Sequence, residues 1–198
     1  MPGAIHSSLW SDGYEQGCGC GFVPAKDCKG GEGKWLEGDE GDCPPRPPRA
    51  AGLTRASPPL AAKEDIIDET LKLFRAQVFF KNFEIKTPAD LTLTYLILFT
   101  QQCIQTCQRA KDAQEGHKLL HTLGAQDFAK PGEAAFPLGG FVSKPQDGAE
   151  LDRWGAYFKD LRQETCKRVL KCLFNDDGTP NKWWMCFAKK KFLGMELQ

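Results

Sequence analysis

The sequence has no surplus of charge. Lys and Arg number 26, Asp and Glu also 26, so the formal net charge is zero. A general electrostatic pull toward nucleic acid or an anionic membrane is not supported, and neither partner is expected. No run of roughly 20 apolar residues is present, so membrane insertion is not expected either. Residues 1–20 lack both the basic start and the apolar core of a secretory leader. The nine Cys are therefore read as mostly reduced thiols of a cytosolic chain, not as a disulfide framework. Also missing are a Gly-rich phosphate loop with its Lys, a nucleophile elbow and a usable His/Asp/Cys constellation. Without convergent catalytic groups, the chain is expected to be a binding or structural protein, not an enzyme, with no cofactor and no metal.

What is present is organised around 87–108, TPADLTLTYLILFTQQCIQTCQ. Thr87 can cap a helix, Pro88 suits its first position and Asp90 completes a capping box. Leu91, Leu93, Tyr95, Leu96, Ile97, Leu98 and Phe99 then make the first half apolar on nearly every face. A helix oily all round is normally buried on all sides. Its Thr hydroxyls are expected to bond back to the helix's own carbonyls.

Upstream, residues 11–50 are rich in Gly, Pro, Asp and Glu and poor in aliphatics. Ordering a backbone costs roughly 1–2 kcal/mol per residue, which so few apolar groups do not offset. The stretch 11–62 is read as largely disordered, and deleting 11–56 is expected to leave thermal stability nearly unchanged. Cys18, Cys20, Cys28 and Cys43 lie here, but a zinc site usually needs two CxxC-type pairs, and incidental thiols are the simpler reading. The PPRPPR run at 44–49 is a stiff linker, or a ligand for an SH3-like groove.

From Lys63 the pattern changes. Ile67, Leu71, Phe74 and Val78 step by four, three and four, one face of a helix. Acidic Glu64, Asp65, Asp68 and Glu69 suit its positive end. Phe79, Phe80, Phe83 and Ile85 widen the apolar surface beyond one face, as core or as a surface for a partner. Residues 109–148 read as a long irregular segment with one helical turn, strapped to the core by Phe128, Phe136, Leu138, Phe141 and Val142. His117 and His121 stand four apart, but Lys118 occupies the position where a metalloprotease has Glu.

Asp147 with Glu150 signals a second capped helix. Leu151, Trp154, Phe158, Leu161, Thr165, Val169 and Cys172 give it an apolar face. Asp152, Arg153, Lys159, Arg162, Glu164 and Lys167 give it a solvated one. Cys103, Cys107, Cys166 and Cys172 are read as small core residues. After the turn at 175–181, Asn181 can cap a last helix, KWWMCFAKKKF, whose Trp183 and Trp184 stand among Lys182, Lys189 and Lys190 with no acid between. Packing, a protein interface, an anionic membrane and a nucleic-acid backbone all compete for this segment.

The fold expected is all-α: a compact helical domain at 63–198, with one buried central helix wrapped by others. A mostly disordered Gly/Pro-rich N-terminal region, 1–62, precedes it. DIIDE (65–69), VFFKNFEIK (78–86), TLG (122–124), PGE (131–133), FPL (136–138), RQET (162–165) and KWWMCFAKKKF (182–192) occur in the order in which they occur in a known family. Over about residues 63–195, and in HSSL near the start, the chain resembles the p21 subunit (subunit 3) of the actin-related protein 2/3 complex. Residues 10–56 depart from the family pattern. The resemblance implies a non-catalytic structural subunit supporting nucleation of branched actin filaments, in the cytoplasm and cytoskeleton. It would sit chiefly against actin-related protein 3 and meet other subunits, and actin filaments through the complex, while ATP belongs to the actin-related subunits. Phe79, Phe80, Lys81, Trp183, Trp184, Lys189 and Lys190 are the candidate interface residues. The alternative is a free-standing helical domain binding anionic lipid or nucleic acid through the basic aromatic C-terminal helix.

Overall fold

A computed structural model describes residues 7–9, 16–23, 25, 64–77, 85–189, 191–192 and 195–196. The protein is mostly helical. Among the described residues the helices are α1 (Ile66–Gln77), α2 (Pro88–Cys107), α3 (Ala113–Ala125), α4 (Gly148–Leu173) and α5 (Lys182–Met185), which tightens into a 3-10 turn at Cys186–Lys189. Two antiparallel ladders accompany them, β1 (Gln16–Gly17) with β2 (Cys20–Gly21) and β3 (Lys191–Phe192) with β4 (Met195–Glu196).

The start of α2 carries the reciprocal cap its sequence announces. Thr87 Oγ1 accepts from the Asp90 N–H at 3.4 Å, and Asp90 Oδ2 accepts from the N–H groups of Thr87 at 2.8 Å and Lys86 at 3.0 Å. Every residue from Ala89 to Ile97 is buried. This helix packs against α1, α3, α4, β2 and the 3-10 turn. Two expectations fail on it. Leu98 is exposed, and the threonines do not all bond within the helix. Thr106 does, to the Gln102 carbonyl, but the Thr92 hydroxyl donates at 2.7 Å to the carbonyl of Gly21 in β2.

That bond holds a hairpin inside the stretch read as largely disordered. Of residues 11–62 the structure describes 16–23 and 25, where Gly17, Cys18, Cys20, Gly21, Phe22, Val23 and Ala25 are buried and Gln16 is exposed; 11–15, 24 and 26–62, and with them most of that reading, lie outside the described residues. Cys18 and Gly19, with φ of 54° and 84°, form the two-residue turn between β1 and β2. Positive φ at both positions matches the twist of a tight hairpin, and a non-glycine there costs about 1–2 kcal/mol. Backbone bonds offset the cost: the Cys18 N–H donates to Glu150 Oε1 at 2.7 Å, and the Cys18 carbonyl accepts from Ser143 N–H at 3.0 Å. Phe22 then lies 4.7 Å from Tyr157, centroid to centroid, and the Tyr157 hydroxyl donates to the Val23 carbonyl at 2.7 Å. The ring also rests on Gly17, where a Cβ would stand 2.6 Å from Phe22 Cζ. Deleting 11–56 is therefore expected to destabilise the chain. Phe22→Ala alone should cost about 3 kcal/mol in a urea titration, the lower end for a buried Phe because Gly17 brings only backbone to the contact. A loss below about 0.5 kcal/mol would mean the hairpin adds nothing to the fold.

The HSSL serines are fastened as well. The Ser7 and Ser8 hydroxyls donate to Glu69 of α1 at 2.7 Å each, the Ser8 N–H to the same carboxylate at 2.8 Å, and the Ser7 N–H to Asp90 Oδ1 at 2.7 Å.

The long irregular segment is corrected too. α3 occupies 13 residues of it, capped by Asp112, whose side chain accepts from Glu115 N–H at 2.8 Å. Its buried face is Gly116, Leu120, Leu123 and Gly124. A Cβ on Gly116 would lie 2.5 Å from the Phe174 ring, and one on Gly124 would lie 3.3 Å from Cys166 Sγ. Two glycines let α3 come close to α4, and they also remove half of the apolar signal of that face. The remainder, 126–147, does strap the core: Phe136 and Leu138 are buried, Phe128 and Val142 half-buried, while Phe141 is exposed.

On α4 the expected solvated face is wrong at Arg162 and Glu164, both buried. Glu164 Oε1 accepts from Arg168 Nε at 3.0 Å, and Arg168 Nη1 reaches both oxygens of Asp65 at 2.8 Å and Asp68 Oδ1 at 3.0 Å. Asp65 also accepts from the N–H groups of Ile67 and Asp68. One guanidinium thus ties the start of α1 to the last third of α4.

Candidate protein-interaction surface

The C-terminal segment is built outward from Asn181. Its N–H donates to the Leu173 carbonyl at 2.7 Å, which fastens it to the end of α4. Its side-chain oxygen accepts from Trp183 N–H at 3.1 Å, and its carbonyl accepts from Trp184 N–H at 3.1 Å and Met185 N–H at 2.9 Å. This starts α5. Neighbouring residues on a helix point about 100° apart, so the two tryptophans part company. Trp184 stacks on Phe74 of α1 at 5.7 Å and 12°, and Phe187 meets the same ring edge-on at 5.7 Å and 83°. The Phe187 carbonyl accepts from Gln101 Nε2 at 2.8 Å, which draws the chain toward α2. The expected helix over 182–192 therefore ends early: α5 stops at Met185, the 3-10 turn follows, and Lys191–Phe192 is a strand.

Trp183 faces the other way and is 69% exposed. An indole in water on a backbone fixed at both ends loses little freedom when a partner covers it. Exposed Lys182 stands next to it and Lys189 closes the 3-10 turn. Lys190, Phe79, Phe80 and Lys81 lie outside the described residues. Phe74 nevertheless places the C-terminal segment against α1, and only Val78 separates the last residue of α1 from Phe79. Two exposed apolar side chains escaped the sequence reading, Leu98 and Phe141. Both sit in stretches whose apolar residues read as core, and no periodicity singles them out.

Burial pushes the thiols of Cys18 and Cys107 up to about 11 and that of Cys20 up to about 12. It holds Cys103 well above the ordinary thiol range, with Cys166 Sγ 3.9 Å away. Such thiols are poor nucleophiles. His117 and His121 are exposed on α3 with ring centroids 6.2 Å apart. Among the described residues no group of three or more His, Cys, Asp or Glu is placed to hold a metal ion, and no helix is long and apolar enough to cross a membrane.

Residues 46–197 match the model of the P21-Arc family, described as the ARP2/3 complex ARPC3 (21 kDa) subunit. Among curated proteins, the chain is 35% identical over 191 residues to actin-related protein 2/3 complex subunit 3 of Arabidopsis thaliana, covering 96% of this chain and 97% of that protein. It is 39% identical over 137 residues to the probable subunit 3 of Caenorhabditis elegans, covering 68% of this chain and 75% of that protein. It is 40% identical over 134 residues to subunit 3 of Dictyostelium discoideum, covering 67% and 76%. None of these relatives lends support to a free-standing lipid- or nucleic-acid-binding domain.

Proposed function

Because the chain belongs to the P21-Arc family of ARP2/3 complex ARPC3 (21 kDa) subunits, we propose that it serves as a non-catalytic structural subunit of that complex. Its work there is to support nucleation of branched actin filaments, in the cytoplasm and at the actin cytoskeleton. Actin-related protein 3 is its chief neighbour, other subunits lie beyond, and filaments are reached through the complex. In this reading α2 is the helix around which the subunit is built, and residues 63–198 form the helical domain that the complex holds. The contact surface runs across Trp183, the edge of Trp184, Lys189 and Lys190, and onward to Phe79, Phe80 and Lys81.

The observation that carries the surface is the exposed indole of Trp183 beside the half-buried Trp184, which stacks on Phe74. Buried aromatic anchors at interfaces contribute about 2 kcal/mol or more on truncation, roughly thirtyfold in affinity. Tagged chain recovered from native cells is expected to come down in a large particle with two actin-related proteins at equal stoichiometry. Trp183→Ala should reduce that recovery about thirtyfold in apparent affinity while leaving the melting temperature of the free chain unchanged. Trp184→Ala should lower the melting temperature, because it unstacks Phe74. Recovery of the unsubstituted chain as a lone 22.0 kDa species would refute the subunit reading. Normal assembly of the Trp183→Ala chain would refute only the surface.

A further inference from the structure

A cleft of about 350 Å³ opens between α2, the loop after α3 and α4. Tyr95, Leu98 and Gln102 line it from α2, Asp127 and Pro137 from the loop, and Arg162 from α4. Arg162 is 5% exposed. Its guanidinium lies between two rings, 4.3 Å from the Phe99 centroid and 4.4 Å from that of Phe128. Nη1 donates to the Tyr95 hydroxyl at 3.2 Å and Nη2 to the Leu123 carbonyl at 3.0 Å, and the Nε–H has no acceptor. No carboxylate of the described residues pairs with it; Asp127, in the same cleft, is exposed and makes no ion pair with it.

The contrast with Arg168 on the same helix is informative. Arg168, also withdrawn from water, meets three carboxylates. Arg162 is withdrawn further and meets two neutral acceptors and two ring faces. Ring faces support a cation, but the partner that matches a guanidinium fork is a carboxylate, and the attraction strengthens where water is excluded. The cleft has the makings of a socket for one: apolar walls at Leu98 and Pro137 for a methylene stem, and a cation within. Leu98 at its side is one of the exposed apolar side chains, a surface that a protein segment covers and a free anion does not.

We propose that this cleft receives the side chain of a glutamate or aspartate from a neighbouring subunit, with Arg162 as the cation it meets. The proposal rests on the reading of the chain as a subunit of the assembly. It predicts a second contact surface, distinct from that around Trp183.

The test places a photoreactive phenylalanine at position 98 in the tagged full chain, recovers the assembly from cells and irradiates it. The expected result is a crosslink to another subunit at a segment containing Asp or Glu. Replacing that acid by alanine should then weaken retention of the chain about tenfold or more. The substitution is made on the partner because any change at buried Arg162 disturbs the core. Asp127→Asn, which removes a like charge from the cleft, should strengthen retention in salt. An intact assembly without a crosslink at position 98, or with one whose segment carries no acid, would overturn the proposal and leave the subunit reading standing. A chain recovered alone would overturn both. If Asp127→Asn weakens retention and lowers the melting temperature of the free chain, Asp127 is itself the counter-ion of Arg162, and the proposal fails.

Discussion

Trp154→Ala is expected to lower the unfolding free energy by about 4 kcal/mol and the melting temperature by on the order of 10 °C for a chain of this size. Trp154 is fully buried on α4 at the centre of an aromatic cluster. Its ring stacks on Phe158 at 4.2 Å, and Tyr95, Phe128 and Phe136 lie 6.2, 5.8 and 5.5 Å away. Those rings come from α2, the strap and α4 itself, so none can follow the lost indole without dragging a whole element. The cavity should stay open, which puts the cost toward the upper part of the range. The indole N–H has only the sulfur of Cys20, a weak acceptor, beside it, so Trp154→Phe removes volume and little polar contact and should cost only about 1–2 kcal/mol. Chemical denaturation of both variants checks this. Equal losses for Ala and Phe would show that the cluster does not depend on the packing described.

Arg168→Met should cost about 3–5 kcal/mol, although it places an apolar side chain of similar length between two helices. The reason lies in what remains. The side chains of Asp65 and Glu164 keep only 4% and 7% of their surface exposed, and removing the shared cation leaves buried carboxylates without it. Asp65 still caps α1, so its charge cannot simply turn out to water. Arg168→Lys keeps the charge but not the fork that serves Asp65 through Nη1 and Glu164 through Nε, and an intermediate loss is expected. A loss below 1 kcal/mol for Arg168→Met, measured by urea unfolding, would place this network with the weak surface pairs.

The helices that can be read from the chain are those whose buried face is made of apolar residues and whose start carries a cap. α2 and α4 meet both conditions, at Thr87–Asp90 and Asp147–Glu150. α3 meets only the second, because Gly116 and Gly124 fill the positions where periodicity would show. The hairpin at 16–21 escaped for a related reason: CGCG replaces the Asn-Gly or Asp-Gly that usually announces such a turn, and its anchors Thr92, Ser143, Glu150 and Tyr157 are far away in sequence. Arg162 looked like any charge on a solvated face, since no local pattern shows that Phe99 and Phe128 will close over it. On the candidate surface, Trp183 and Trp184 were legible as a pair. Which of them faces out was not, because that depends on where Asn181 is fastened to Leu173.

The anchoring of the hairpin also bears on the order in which the chain is made. Cys18 is joined to Glu150 across 132 residues and Val23 to Tyr157 across 134. At synthesis rates of about 5–20 residues per second, roughly 7–27 s pass between the appearance of Phe22 and that of Tyr157. Helices α1, α2 and α3 can form in that interval from neighbours in sequence, whereas contacts of such long range come late. Phe22 and Val23, made early, are thus among the last residues to find their places. Until α4 arrives, Phe22 and Val23 lack the tyrosine that holds them, and nascent chains are most open to wrong associations during that wait.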